Sequence, residues 1–278
     1  MSRPIVVGVD GSTPSHAAVE WAAADARRRR LPLRLVHVCE QRRGSAEGLK
    51  YCEGTLQAAA DRARAAGAQE VVTELLEGNV VETLLGQAVT GDSVVLGSRG
   101  VGGFAGLALG SVSLAVAGHA EGPVVVVRAG AETAAGHGKI VVGDDGSDTA
   151  REALRYAVEQ ARARDATVLV VYAWSQPILA TYGPQFADLF TDTFAEDRDA
   201  ARERLDVWSG EYPDVRFEGS QVRAHPVAAL ADASGSAELV VVGSRGRGGF
   251  ATAVLGSVSH GLLHHAVCPV AVVRPRSA

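Results

Sequence analysis

The chain has 278 residues, enough for about two domains, and its 47% apolar and 21% charged residues exclude a disordered tail or a low-complexity scaffold. A net charge of −5 leaves no basic field for a nucleic-acid backbone, and 5% aromatic residues are too few for a base-stacking platform. No apolar run reaches the ~18 residues that span a bilayer, and the opening Met1-Ser2-Arg3-Pro4 lacks the apolar region of a signal peptide. The expectation is a cytoplasmic protein whose partners include neither nucleic acid nor membrane.

Short apolar runs alternate with helical patterns along the chain. Strands are predicted at Ile5–Val9, Leu33–Cys39, Glu70–Leu76, Ser93–Gly97 and Val124–Arg128. Between them the pattern predicts helices at Pro14–Arg30, Gly48–Ala66, Val80–Val89 and Ser111–His119. Ser12 or Thr13 can cap the first helix, with Pro14 in its first turn. Arg27–Arg30 closes that helix and reads as a solvated C-terminal turn complementing the helix dipole.

The order then begins again. Ile5-Val6-Val7-Gly8-Val9-Asp10-Gly11-Ser12 returns as Ile140-Val141-Val142-Gly143-Asp144-Asp145-Gly146-Ser147, at an offset of 135. Val94–Arg128 returns as Val240–Arg274 at an offset of 146, with 22 identities in 35 positions, which is a tandem duplication. The growth in offset places an eleven-residue insertion in the second copy, assigned to a loop around Ser175–Phe194. Second-copy strands are predicted at Ile140–Asp144, Thr167–Trp174, Val215–Val222, Leu239–Gly243 and Val270–Arg274. The expected division is residues 1–129, a small polar linker at 130–138, and residues 139–278. Uniformly apolar strands alternating with helices argue for an α/β fold, with two tandem doubly wound five-stranded parallel-sheet domains.

In such sheets ligands sit beyond the carboxyl ends of the strands, at the switch in strand order. Asp10 and Asp145 leave the first strand of each copy there. Each could accept hydrogen bonds from a ribose or base amine, or tie down its own turn. The fourth strand ends in Gly97-Ser98-Arg99-Gly100 and continues through Gly102-Gly103-Phe104 to Gly110-Ser111-Val112-Ser113. The second copy reads Gly243-Ser244-Arg245-Gly246, then Gly248-Gly249-Phe250, then Gly256-Ser257-Val258-Ser259. Glycines permit close backbone approach, and a helix N-terminus presents unpaired N–H groups to a phosphate. Ser111 and Ser257 could cap those helices or reach that phosphate; the bland alternative is a flexible loop with an ordinary serine cap.

Other chemistry is missing from the sequence. It has no P-loop lysine motif, no dinucleotide G-x-G-x-x-G after the first strand and no nucleophile elbow. His260, His264 and Cys268 share a helical spacing but read as a helix end, since Pro269 follows at once. Cys39, Cys52 and Cys268 form neither a disulfide framework nor a zinc module, and Cys39 and Cys52 are expected to be structural.

At the glycine spacing, Gly-x2-Gly-x9-Gly-Ser in both copies, the chain resembles the universal stress protein family in its tandem, ATP-binding form. Val-Gly-x-Asp-Gly-Ser near the start and the endings Pro123–Val127 and Cys268–Val273 carry the same resemblance. It implies an adenine nucleotide alpha hydrolase-like fold that binds ATP with Mg2+. Asp10, with Gly8 and Val9 before it, would face adenine and ribose, and Val38 the adenine edge. Gly97, Arg99 and Gly100 would face ribose and phosphates; Gly110, Ser111, Val112 and Ser113 would hold the triphosphate. The second-copy set is Gly143, Asp144, Asp145, Ala173, Gly243, Arg245, Gly246, Gly256, Ser257, Val258 and Ser259. Asp144 in place of Val9, Ala173 in place of Val38 and Ala224-His225-Pro226 in place of Gly78-Asn79-Val80 predict a weaker second site.

The resemblance further implies that the copies pair through their last strands, Val124–Arg128 and Val270–Arg274, with a further homodimer possible. The functional expectation is a nucleotide-dependent regulatory module for stress such as hypoxia, starvation or dormancy, acting on a protein partner that the sequence does not name. It is expected not to be an enzyme; the alternative is a slow ATPase or nucleotide-dependent transferase.

Overall fold

Runs such as Ile5-Val6-Val7 and Val124–Val127 are apolar on both faces, so each strand needs a layer of cover above and below. The computed structural model supplies it for residues 2–39, 46–102, 109–130, 138–174, 184–247 and 254–276, with backbone alone described for 184–196. The first half runs β1 (Ile5–Gly8), α1 (Thr13–Arg29), β2 (Leu33–Cys39), α2 (Ala46–Ala65), β3 (Val71–Glu77), α3 (Val80–Thr90), β4 (Ser93–Gly97), α4 (Ser111–His119) and β5 (Gly122–Val127). The second repeats it as β6 (Lys139–Gly143), α5 (Asp148–Arg164), β7 (Thr167–Trp174), α6 (Pro184–Glu211), β8 (Phe217–Arg223), α7 (Pro226–Ser234), β9 (Leu239–Gly243), α8 (Ser257–His265) and β10 (Val270–Arg274). One buried cluster lies on the α1/α2 and α5 face, including Leu33, Leu35, Ala60 and Leu154. The other lies on the α3/α4 and α7/α8 face, including Leu84, Val116, Leu230 and Leu262.

Strand order is β3-β2-β1-β4-β5-β10-β9-β6-β7-β8, one ten-stranded sheet. Every pairing within a half is parallel, and the two halves meet antiparallel through β5 and β10, with Ala271 opposite Val125. The expected pairing of last strands is therefore realised within one chain. The order turns back between β1 and β4 and, in the second half, between β6 and β9.

Three expectations are corrected. The insertion does not form a loop through Phe194: α6 begins at Pro184 and its 28 residues exceed the 20 of α2, so eight of the eleven extra residues lengthen a helix. Residues 175–183, and most of the expected 130–138 linker, lie outside the described residues. Cys39 and Cys52, expected to be structural without forming a disulfide, come together as a disulfide with Cα atoms 6.6 Å apart, because β2 and the first half of α2 pass one another. The sequence held no signal for this, since their spacing matches no paired pattern. The run Arg27–Arg30 is not uniformly solvated: the Arg29 side chain is only 10% exposed.

Arg29 belongs to a network that binds α1 to α5 across the seam. Its guanidinium donates to Asp92 at 2.6 and 2.9 Å and stacks over Tyr156. In the other half Arg164 pairs with Glu238 and stacks over Trp21. These are the same positions seen from the opposite side of a pseudo-two-fold axis. Near the axis Gln160 Nε2 donates to Asp25 Oδ2 at 3.2 Å, and both residues are fully buried. Asp25 Oδ1 lies 2.9 Å from Arg164 Nη2, a charge contact without hydrogen-bond alignment. Burial and the Asp25 carboxylate raise the Tyr156 phenol and keep it neutral. At the strand ends Arg128 donates to the Leu263 carbonyl of α8, and Arg274 to the Gly118 carbonyl of α4. Each arginine thus meets the carbonyl-rich end of a helix in the other half.

Removing one member of such a network leaves a charge buried without its partner. Asp25→Ala is expected to cost about 3–5 kcal/mol, read from the urea midpoint. Asp25→Leu combined with Arg164→Met should recover only part of that loss, because it removes the buried Asp25–Arg164 charge pair but leaves Glu238 without Arg164 and Gln160 Nε2 without its acceptor.

Candidate functional site

All of the residues singled out in the first copy line one cavity of about 510 Å³ at the carboxyl ends of β1 and β4. All of their second-copy counterparts line an equivalent cavity of about 300 Å³. Gly103, Phe104, Gly248, Gly249 and Phe250 lie outside the described residues. Val80 and Pro226, from the segments expected to differ between the sites, also line the cavities; sequence reasoning missed Val36, His37, Leu84 and Leu109 in the first, and Leu230 and Val242 in the second. These are mainly apolar wall residues from strands and from α3 and α7. Helical periodicity marks such residues as core, not as cavity lining.

Asp10 ties down its own turn. Oδ1 accepts from the Ser12 amide at 2.9 Å, and Oδ2 accepts from the Val101 amide at 3.0 Å. Asp145 makes the same clasp to the Ser147 and Arg247 amides, at 3.0 and 2.9 Å. In each half the carboxylate joins the first-strand turn to the loop that follows the fourth strand. Gly100 must lack a side chain for this, because a Cβ there would stand 2.5 Å from Asp10 Oδ2. Gly97 is held equally closely, with its Cβ position 2.6 Å from the Pro14 backbone.

The serine-cap expectation is also corrected. The N-caps of α4 and α8 are Gly110 and Gly256, and no side chain caps either helix. Ser111 and Ser257 are the first helical residues and are exposed. Ser113 and Ser259 are the buried ones: Ser113 Oγ donates to the Gly97 carbonyl at 2.6 Å, and Ser259 Oγ to the Ser244 carbonyl at 3.1 Å. They anchor the helix start to the end of the fourth strand. The first amides of α4 and α8 have no acceptor one helical turn back and open onto the cavities. This arrangement can hold an anion.

The two halves differ where the sequences differ. Asp144, in place of Val9, does not aim a bare charge into the second cavity. Its Oδ1 accepts from the Gly146 amide, and its Oδ2 pairs with Arg204 of α6 at 2.7 and 2.8 Å. Asn79 caps α3 through its side chain, while the His225 ring caps α7. His260 and His264, one turn apart on α8, bring their rings to 4.9 Å in a tilted contact, and Cys268 lies past the helix, buried, with its thiol pushed up to about 12 by burial. Those three do not form a ligand set, in keeping with the helix-end reading. Among the described residues the one group of three His, Cys, Asp or Glu side chains able to share a metal is His37, Cys39 and Cys52.

A model of the universal stress protein family matches residues 1–128 and again 136–274. A universal stress protein of Mycolicibacterium smegmatis is 35% identical over 294 residues, covering 98% of this chain and 97% of its own. One from Mycobacterium tuberculosis is 36% identical over 303 residues, covering 97% and 94%. The crystal structure of a universal stress protein from Archaeoglobus fulgidus shares the fold, with a TM-score of 0.75 over 99% of both chains at 21% identity. With the family matched in each half and relatives of this identity along nearly the whole chain, the protein belongs to the universal stress protein family, as a tandem member.

Proposed function

We propose that each half binds an adenine nucleotide, ATP foremost, and that the protein is a nucleotide-dependent regulatory module rather than an enzyme. The observation that carries this reading is the repeated cavity. At the switch in strand order an apolar wall (Val36, Val38 and Leu84 in the first half) faces glycine-lined backbone and an uncapped helix N-terminus. An apolar wall suits a base, and an uncapped helix start suits phosphates. Asp10 and Asp145 then act as positioning residues that hold two loops at the ligand's edge. Occupancy would set the order of those loops and so the surface shown to a protein partner under stress such as hypoxia, starvation or dormancy.

A phosphoryl-transfer enzyme needs a base at the terminal phosphate. The extra carboxylate near the second cavity, Asp144, is bound to Arg204, which argues for binding without turnover. Magnesium would enter with the phosphates as their counter-ion. Asp10 and Asp145 each accept one backbone amide per oxygen and keep further lone pairs that can accept from the ion's waters, while Asp144 is paired with Arg204.

Nucleotide-free protein should unfold several degrees higher in millimolar Mg-ATP, since a ligand at about a hundred times its Kd adds about 2.7 kcal/mol. No shift with ATP, and none with AMP, would overturn the reading. Ser111→Glu and Ser257→Glu place a carboxylate at exposed helix starts. Each should stabilise the empty protein by about 0.3–1 kcal/mol, while nucleotide affinity at that half falls at least about tenfold, or ~1.4 kcal/mol. Titration calorimetry on the two variants separates the halves.

Arg204→Ala frees the Asp144 charge beside the second cavity. Binding there should weaken several-fold and become more sensitive to salt, with the first cavity unchanged.

A further inference from the structure

His37 and Cys39 are alternate residues of β2, so their side chains leave the same face of the sheet. Both are 8% exposed. Cys52 of α2 meets them there, and one ligand atom from each of the three lies within 4.8 Å of the other two. His37 Nδ1 sits 2.6 Å from the Val9 carbonyl. A carbonyl can only accept, so Nδ1 carries the hydrogen and the ring's lone pair belongs to Nε2. Holding one ring nitrogen on a backbone carbonyl is how proteins orient a histidine whose other nitrogen binds a metal.

The second half offers an internal comparison. At the positions equivalent to His37 and Cys39 it has Tyr172 and Trp174, whose rings stack at 5.8 Å with Arg198 over Trp174. Nitrogen and sulfur ligands in one copy thus face an aromatic stack in the other, on otherwise matching strands.

The geometry points to a site for a zinc-type metal ion, formed by His37, Cys39 and Cys52 in the reduced chain. One imidazole and two thiolates are a soft donor set, suited to Zn2+ over Mg2+ or Ca2+. Three protein ligands leave a fourth position for water or an added ligand. The disulfide is the oxidised, metal-free form of the same cysteines. Reduction breaks the S–S bond with two electrons and two protons. A phosphine supplies the electrons and, with water, becomes its oxide. The two thiols release those protons when the metal binds. The site ties α2 to β2 and, through Val9, to the turn that carries Asp10. It stands independently of the nucleotide reading, because none of its evidence concerns a nucleotide.

The test is cobalt uptake by the full chain, reduced with a phosphine and freed of metal. The expected result is one Co2+ per chain, with a thiolate-to-cobalt charge-transfer band that Zn2+ abolishes. Cys39→Ser and Cys52→Ser should each lose the band, and His37→Gln should keep thiolate character but bind at least about tenfold more weakly. Wild-type protein covers any folding defect of the variants: Zn2+ should protect Cys39 and Cys52 from maleimide, as read by peptide mass. The proposal is overturned if the reduced chain gives no band, or if the pair resists reduction and is a disulfide only. It is equally overturned if uptake survives the cysteine variants, if His37→Gln binds as tightly as wild type, or if Zn2+ gives no protection.

Discussion

The antiparallel pairing of β5 with β10 is the contact on which the rest of the molecule depends. Each half alone would expose its last strand as a row of unpaired amides and carbonyls flanked by valines. Joining the two edges satisfies both rows and extends two five-stranded sheets into one of ten. The seam also brings α1 against α5, which explains the polar residues buried there. At the axis of an isologous contact a residue meets its own equivalent. Two aspartates at the axis would repel, whereas Asp25 and Gln160 hydrogen-bond. Divergence of the duplicated copies allows this heterologous pair; a symmetric dimer of one copy could not make it.

A second constraint shapes the cavities. The turn after β1 and the loop after β4 approach so closely that two glycines are needed, and one carboxylate clamps both segments. The clamp fixes the carboxylate in place and leaves backbone N–H groups, a helix start and an apolar wall around each cavity. Backbone groups keep their position while side chains drift, which fits the survival of the glycine spacing in both copies as the residues around it changed.

The copies have diverged in a patterned way. Asp144 in the second half is matched by Arg204 of α6, which stands where α2 has Ala58, so two changes of charge compensate each other. Where the first half has His37 and Cys39, the second has the stacked rings of Tyr172 and Trp174. Both changes fall on the strand ends and on the helix packed over them, and the strands of the shared sheet keep their register.

The duplication, the α/β class, most element positions and the glycine, serine and aspartate lining of each cavity were legible in the sequence, whereas apolar wall residues such as Val36 and Leu84 were not. The information there is local: runs of valine, a glycine spacing and a repeat offset each show within a short window. The sequence by itself also brought Asp10 and the glycine loop to the same end of the sheet, because strand polarity follows from β-α alternation. Only the tertiary structure decided what depends on residues far apart in the chain. It set Asp10 on the Val101 amide, Asp144 on Arg204, Asp25 against Gln160, and Cys52 beside Cys39 and His37. Each of these is a contact between different elements, fixed by how helices seat on a shared sheet, and no window of sequence contains both partners in their packed geometry.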